Sequence, residues 1–261
     1  MPDSLQSGDE TIRLWLAYPE QDSSQEAIRL GTGLLSQSEQ ARLSLLRFDK
    51  NRREYLFAHV LVRLALSHSH SISAQDWQFR TNAFGKPSVE PDCGLRFNLS
   101  RSSGLAACVI ANGIEVGVDA EPNARSATIL EIGEQVFSPR ELAQLDALDD
   151  VEKPDRALSI WTLKEAYVKA RGIGLSQRLT DISFLFGDRQ GIRLELDRSV
   201  DDEATNWCFC LISHVGYRIA IVIEQITDPR LELWELYPLM GCPMRRAMAP
   251  PAFYPGAQSS R

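Results

Sequence analysis

Glu115-Val116-Gly117-Val118-Asp119-Ala120-Glu121-Pro122 and Trp161-Thr162-Leu163-Lys164-Glu165-Ala166-Tyr167-Val168-Lys169-Ala170-Arg171-Gly172 are the two stretches whose reading decides the fold. The first alternates as a β-strand and is closed by a proline, which cannot donate to a ladder. The second reads as the last turns of a helix that begins near Asp155 and stops at Gly172, a natural C′ residue. Strand alternation puts Asp119 and Glu121 on one face and Val116 and Val118 on the other. Helical spacing puts Trp161, Glu165 and Lys169 on one face at i, i+4 and i+8.

Working outward, short strands follow the helix at 181–187, 191–197, 206–213 and 217–224, and Ser138-Pro139-Arg140-Glu141 opens a preceding helix with an N-cap, a proline at N1 and an acid at N3. The first half shows the same order. Residues 12–18 alternate as a strand, and 36–68 are helical, with Ser36 as N-cap and Glu39 at N3 of a first helix. A second helix through Arg52–Ser67 is apolar at 56, 57, 60, 61 and 64. Strands at 76–81, 95–99 and 105–111 come next, and Asn112-Gly113 marks a tight turn. The expectation is an α+β fold of two similar halves, 11–113 and 114–227, each a small antiparallel sheet packed with helices. Residues 228–261 form a tail holding 6 of the 13 prolines, too many for a regular element.

The chain has 261 residues, 44% hydrophobic and 24% charged, with a net charge of −7. That acidic balance argues against broad binding to nucleic acid or anionic membrane, and no apolar run approaches the ~20 residues of a membrane span. The polar, acidic N-terminus resembles neither a signal nor a transit peptide, so a cytoplasmic location is expected. Cys93, Cys108, Cys208, Cys210 and Cys242 show no zinc-ligand spacing and read as buried and inert, with Cys242 the least certain to be enclosed.

Three elements offer chemistry. Asp119 and Glu121 on one strand face repel each other unless a cation lies between them, and their oxygens suit Mg²⁺; taken alone, an Asp-x-Glu is more often a solvated strand end. Glu165 and Lys169 read either as a surface pair or, beside a buried Trp161, as a third carboxylate with a phosphate-holding lysine. Arg47-Phe48-Asp49-Lys50-Asn51-Arg52-Arg53, Lys86 and Arg101 supply basic sites in an acidic protein. Together with the acids they fit a phosphate-rich ligand with Mg²⁺.

Gly85-Lys86-Pro87, Phe97-Asn98-Leu99-Ser100, Gly117-Val118-Asp119-Ala120-Glu121 and Trp161-x-x-Lys164-Glu165-Ala166-Tyr167-x-Lys169-x-x-Gly172-x-Gly174-Leu175 occur in this order. Over residues 40–190 the chain thereby resembles the 4′-phosphopantetheinyl transferases of the surfactin-synthetase-activating type. The resemblance implies an active site in a cleft between two similar halves, and a monomer rather than a short trimeric synthase. It implies transfer of 4′-phosphopantetheine from coenzyme A to a serine of an apo carrier protein, releasing 3′,5′-adenosine bisphosphate. Asp119, Glu121 and Glu165 would hold Mg²⁺, with Glu165 also taking the serine proton. Lys169 would contact the pyrophosphate, Lys86 and Ser100 the nucleotide phosphates, and Arg53 the 3′-phosphate. The carrier would be a small acidic protein; neither nucleic acid nor membrane is implied. The family usually has His where this chain has Arg101, which still binds phosphate but is longer. That departure motivates the alternative of a non-catalytic relative that binds coenzyme A or a carrier protein.

Overall fold

The computed structural model describes residues 11–20, 24–187, 191–236, 245–246 and 253–255. In chain order its elements begin β1 (Thr11–Ala17), α1 (Gln25–Leu34), α2 (Gln37–Ser44), α3 (Asp49–Ser69), β2 (Gln78–Thr81), β3 (Pro87–Glu90), β4 (Leu95–Ser102), β5 (Leu105–Asn112) and β6 (Val116–Pro122). They continue α4 (Ser126–Glu131), α5 (Gly133–Val136), α6 (Pro139–Asp146), α7 (Lys153–Arg171), β7 (Ile182–Phe186), β8 (Ile192–Leu196), β9 (Trp207–His214), β10 (Tyr217–Glu224) and β11 (Arg230–Leu236). Two short pairings, β12 (Arg245–Arg246) and β13 (Tyr254–Pro255), complete the list. The chain forms two units: residues 1–82, 87–113 and 229–250 make the first, and 83–86, 114–228 and 251–261 the second.

In the first unit the sheet order is β12-β11-β1-β5-β4, with β1 antiparallel to β5 and parallel to β11. Helix α3 is buried on two sides, which is why it lacks a clean polar face. Ala58, Leu61, Val62, Ala65 and Leu66 pack toward the sheet with Trp15 and Phe97, while Leu56 and Val60 meet Leu35 and Leu43 from the α1–α2 side. Arg63, only 1% exposed, lies between these layers. Its guanidinium donates to Glu39 Oε2 at 2.6 and 3.1 Å and to the carbonyls of Ala74 and Trp77, so four of its five N–H groups are bonded. Glu39 also closes the expected capping box with Ser36.

The second unit repeats this connectivity. Where the first runs β1, α3, the β2–β3 hairpin, then β4–β5 with order β1-β5-β4, the second runs β6, α7, the β7–β8 hairpin, then β9–β10 with order β6-β10-β9. No sequence repeat marks this, because only buried positions and turns need agree. Ser138 caps α6 in a capping box with Glu141, and Gly172 ends α7 at φ 64°, as the sequence indicates.

One glycine sets the spacing of the second unit. A Cβ on Gly117 would lie 2.1 Å from the Ala166 carbonyl oxygen and 2.4 Å from the Ala170 nitrogen, both backbone atoms of α7. Strand β6 therefore rests directly on the helix, and its 117/119/121 face is the face that meets α7.

Two expectations need correction. Residues 228–261 do contain a regular element: β11 pairs with β1 over seven residues, Thr11 opposite Arg230 through Ala17 opposite Leu236. Its Leu-x-Leu alternation lies between Pro229 and Pro238, so the prolines bound the strand rather than break it. Helix α1, which the sequence reading does not place, is started by the Ser24 side chain accepting from the Ala27 amide at 3.1 Å. Cys108, Cys208 and Cys210 are buried and in no disulfide, as expected, whereas Cys93, expected to be buried, is half-exposed, and Cys242 lies outside the described residues.

Candidate functional site

The candidate site grows from the match between β6 and α7. Glu121 is bonded to Trp161, Asp119 to Lys169, and Gly117 abuts Ala166 and Ala170, so the strand and helix run antiparallel. Four strand residues rise about 13 Å and nine helix residues about 13.5 Å, so the two ladders stay in step from one end to the other. That is the physical reason an Asp-x-Glu strand is partnered by a helix with Trp, Glu and Lys at every fourth position.

At the centre, the Lys169 ammonium donates to Asp119 Oδ1 at 2.6 Å, with Asp119 only 4% exposed. Glu121 is likewise buried and is held from two sides. The Trp161 indole N–H donates to Oε1 at 3.1 Å, and Arg125 Nη1 donates to both oxygens at 2.6 Å. Glu165 sits half-buried one helical turn from both Trp161 and Lys169. Burial pushes its carboxyl above the ordinary carboxylate range, and the charge of Asp119 pushes it further. Lys169 and Arg125 pull the other way and Glu121 adds to the rise, so all five charged groups feel one another.

Asp119, Glu121, Glu165 and Lys169 are thus brought together. Lys169 and Arg125 offset part of the charge of the three acids, and among the described residues no three His, Cys, Asp or Glu side chains stand ready around a single ion. The donor chemistry nevertheless fits a hard divalent cation, since all three acids offer oxygen and none is neutralised by a buried apolar wall alone.

Lys86 belongs to the same unit but points elsewhere. Its ammonium donates at 2.5 Å to Glu115 Oε2 and at 2.5 Å to the Ala170 carbonyl, tying the Gly85-Lys86 turn to the C-terminal end of α7. In the first unit, Ser100 and Arg101 are neighbours on β4 with opposite fates, Ser100 2% exposed and Arg101 at the surface. Arg53 is half-exposed on the first turns of α3. That unit also has a pocket of about 390 Å³ lined by Glu39, His59, Arg63, Trp77, Phe79 and Phe97, among others, and none of the nominated residues lines it. Sequence reasoning missed Arg125. Its only signal was a basic residue four after Glu121, at the start of the segment that becomes α4.

Residues 115–222 match the family model of the 4′-phosphopantetheinyl transferase superfamily. The chain is 30% identical over 179 residues to the 4′-phosphopantetheinyl transferase HetI of Nostoc, covering 67% of this chain and 75% of that protein. It is 26% identical over 212 residues to the 4′-phosphopantetheinyl transferase Sfp of Bacillus subtilis, covering 80% of this chain and 91% of Sfp. Among solved structures, a holo-(acyl-carrier-protein) synthase from Bacillus anthracis aligns with a TM-score of 0.38 at 19% identity, over 44% of this chain and 98% of that one.

Proposed function

Because the chain belongs to the 4′-phosphopantetheinyl transferase superfamily, we propose that it moves 4′-phosphopantetheine from coenzyme A to a serine of an apo carrier protein, in a Mg²⁺-dependent reaction that releases 3′,5′-adenosine bisphosphate. The observation that carries this reading is the single charge-coupled cluster of Asp119, Glu121, Glu165 and Lys169 on the matched faces of β6 and α7.

In this reading the serine hydroxyl attacks the β-phosphorus of coenzyme A. The new serine O–P bond forms as the bond to the bridging diphosphate oxygen breaks, and the electron pair leaves with adenosine 3′,5′-bisphosphate. Glu165 accepts the serine proton; its burial and acidic neighbours make the ionised carboxylate a stronger base than one in water. Lys169 turns from Asp119 to the diphosphate and offsets charge growing on the leaving oxygen. Asp119, Glu121 and Glu165 would hold Mg²⁺, which when bound supplies further charge neutralisation to the diphosphate. Trp161 fixes the Glu121 carboxylate so that it need not be oriented at each turnover. Arg53, Lys86, Ser100 and Arg101 are assigned to the nucleotide phosphates, with Lys86 required to exchange Glu115 for a phosphate oxygen. No helix among the described residues is long and apolar enough to cross a membrane. A cytoplasmic monomer serving a small acidic carrier completes the proposal.

Mass spectrometry of an apo carrier protein incubated with the enzyme, coenzyme A and Mg²⁺ tests it. The carrier should gain one phosphopantetheine unit, and the gain should vanish with chelator and with Asp119→Ala. A folded Asp119→Ala enzyme turning over at the parental rate would refute the site assignment.

A further inference from the structure

Asp119 and Glu121 are both engaged by cations from the chain itself, but the two cations differ in what else they do. Lys169 leaves Asp119 for the diphosphate in the reading above. Arg125 has no such second role, and its partner is the other proposed metal ligand. Its Nη1 stands 2.6 Å from each Glu121 oxygen, so it lies on the bisector of the carboxylate, where a cation gripping both oxygens would sit.

The geometry points to Arg125 as a built-in counter-cation that must leave Glu121 before a divalent cation binds there, and which thereby sets the Mg²⁺ requirement of the enzyme. This rests on the reading of Glu121 as a metal ligand. Three features support exchange rather than permanent pairing. The Arg125 side chain is 46% exposed while that of Glu121 is 9% exposed, so the arginine has solvent to move into and the carboxylate stays in place. The Trp161 indole holds Oε1 at 3.1 Å independently of Arg125, so Glu121 keeps its orientation when the guanidinium swings away. Lastly, Arg125 sits in the short turn Asn123–Arg125 between β6 and α4, on a side chain whose charged end is anchored by nothing else the structure records.

Competition and long-range field effects are separable here. Arg218 stands directly opposite Glu121 in the β10–β6 register, yet its guanidinium pairs with Asp155. Replacing Arg218 removes the same unit charge from the neighbourhood without freeing Glu121.

The test is Mn²⁺ uptake by the full-length protein without coenzyme A, counted from free Mn²⁺ by electron paramagnetic resonance and displaced by Mg²⁺. Arg125→Gln should tighten binding by about fivefold or more, the scale of a partly buried charge-assisted hydrogen bond, while Arg218→Gln changes it by less than about twofold. Circular dichroism establishes that both variants are folded. Unchanged or weaker binding in Arg125→Gln, which would make Arg125 a support for the ligand rather than its competitor, overturns the inference. Equal tightening in both variants overturns it in favour of a field effect. Absence of uptake in every protein, or uptake that survives Asp119→Asn, removes the metal reading of the cluster itself.

Discussion

Lys164, in the middle of the Trp161–Lys169 motif, is buried with 0% exposure and is predicted to matter for stability rather than chemistry. Its three N–H groups are spent on Glu141 Oε2 at 2.5 Å and on the carbonyls of Val136 and Leu179 at 2.8 and 2.9 Å. Burial pulls the Lys164 ammonium below its ordinary range and pushes Glu141 above its own, and each is the other's main compensation. Lys164→Met leaves a buried carboxylate without its cation, at about 3–5 kcal/mol, and orphans two carbonyls at about 1 kcal/mol each. Protonation of Glu141 limits the sum, so the expected loss at pH 7 is about 4–6 kcal/mol, a large share of the 5–15 kcal/mol typical of a domain. The deficit has a direction with pH. With its folded value raised above the unfolded one, an ionised Glu141 destabilises the fold fully above the folded pKa, and this penalty fades as pH falls toward the ordinary carboxylate range. Urea unfolding from pH 7 to 5 should therefore show the gap to the parent narrowing. Glu141→Gln/Lys164→Met, which removes the buried charge while keeping an acceptor for one of the Ser138 and Phe184 amides, should recover part of it. A loss below about 1 kcal/mol, or a gap that is flat or widens toward acid, refutes the reasoning. Turnover per folded molecule should stay within about threefold of the parent, because Lys164 reaches none of the acidic cluster.

Gly117→Ala should cost at least about 3 kcal/mol or prevent folding, because the added methyl meets two backbone atoms of α7 that cannot rotate aside; a near-neutral change in thermal unfolding would disprove the close approach. For Glu39, burial raises the carboxyl, but hydrogen bonds from His59, the Ser36 amide and Arg63 outweigh it and bring it from 4.5 to about 2. That shift corresponds to about 3 kcal/mol, complete above about pH 4.5 and lost as pH falls toward 2. Glu39→Gln should therefore be less stable by that order at pH 7, with the difference closing in acid, and a pH-independent gap would contradict it. Arg101→Ala should raise the coenzyme A KM with little change in kcat, and Arg101→His should keep most activity; an unchanged KM in the alanine variant rules out phosphate contact.

What the sequence made legible is what local periodicity encodes. Nine strands, the caps at Ser36 and Ser138, and the stop at Gly172 follow from alternation, side-chain capping and the left-handed residue, and all appear within a few residues of where they were expected. That Asp119 and Glu121 share a strand face, and Glu165 and Lys169 a helix face, was legible from the same periodicity, whereas the meeting of the two faces was implied only by the family resemblance and follows in the structure from β6 resting on α7. Features that depend on tertiary pairing were not legible. Strand β11 is defined by its parallel partner β1, placed more than two hundred residues away, and α1 has glycines at 31 and 33 that lower its intrinsic helix preference.

Buried charge was the hardest to read, and the two lysines of α7 show why. Lys164 and Lys169 are five residues apart, hence about 140° apart around the helix axis. One faces α6 and the start of β7, the other faces β6, and composition treats them alike. Lys164 meets an acid with 0% exposure and is a structural cation, whereas Lys169 meets its acid while itself 29% exposed. The difference lies in exposure and in what fixes the ammonium. Lys164 is also held by two main-chain carbonyls that go nowhere during a reaction, so its charge is fixed in place. Lys169 bonds Asp119 Oδ1 at 2.6 Å from a position that solvent reaches, and in the proposed reaction that ion pair is exchanged for a phosphate. A helix can thus carry a core lysine and a site lysine within one motif, provided that each turn presents a different face to a different layer.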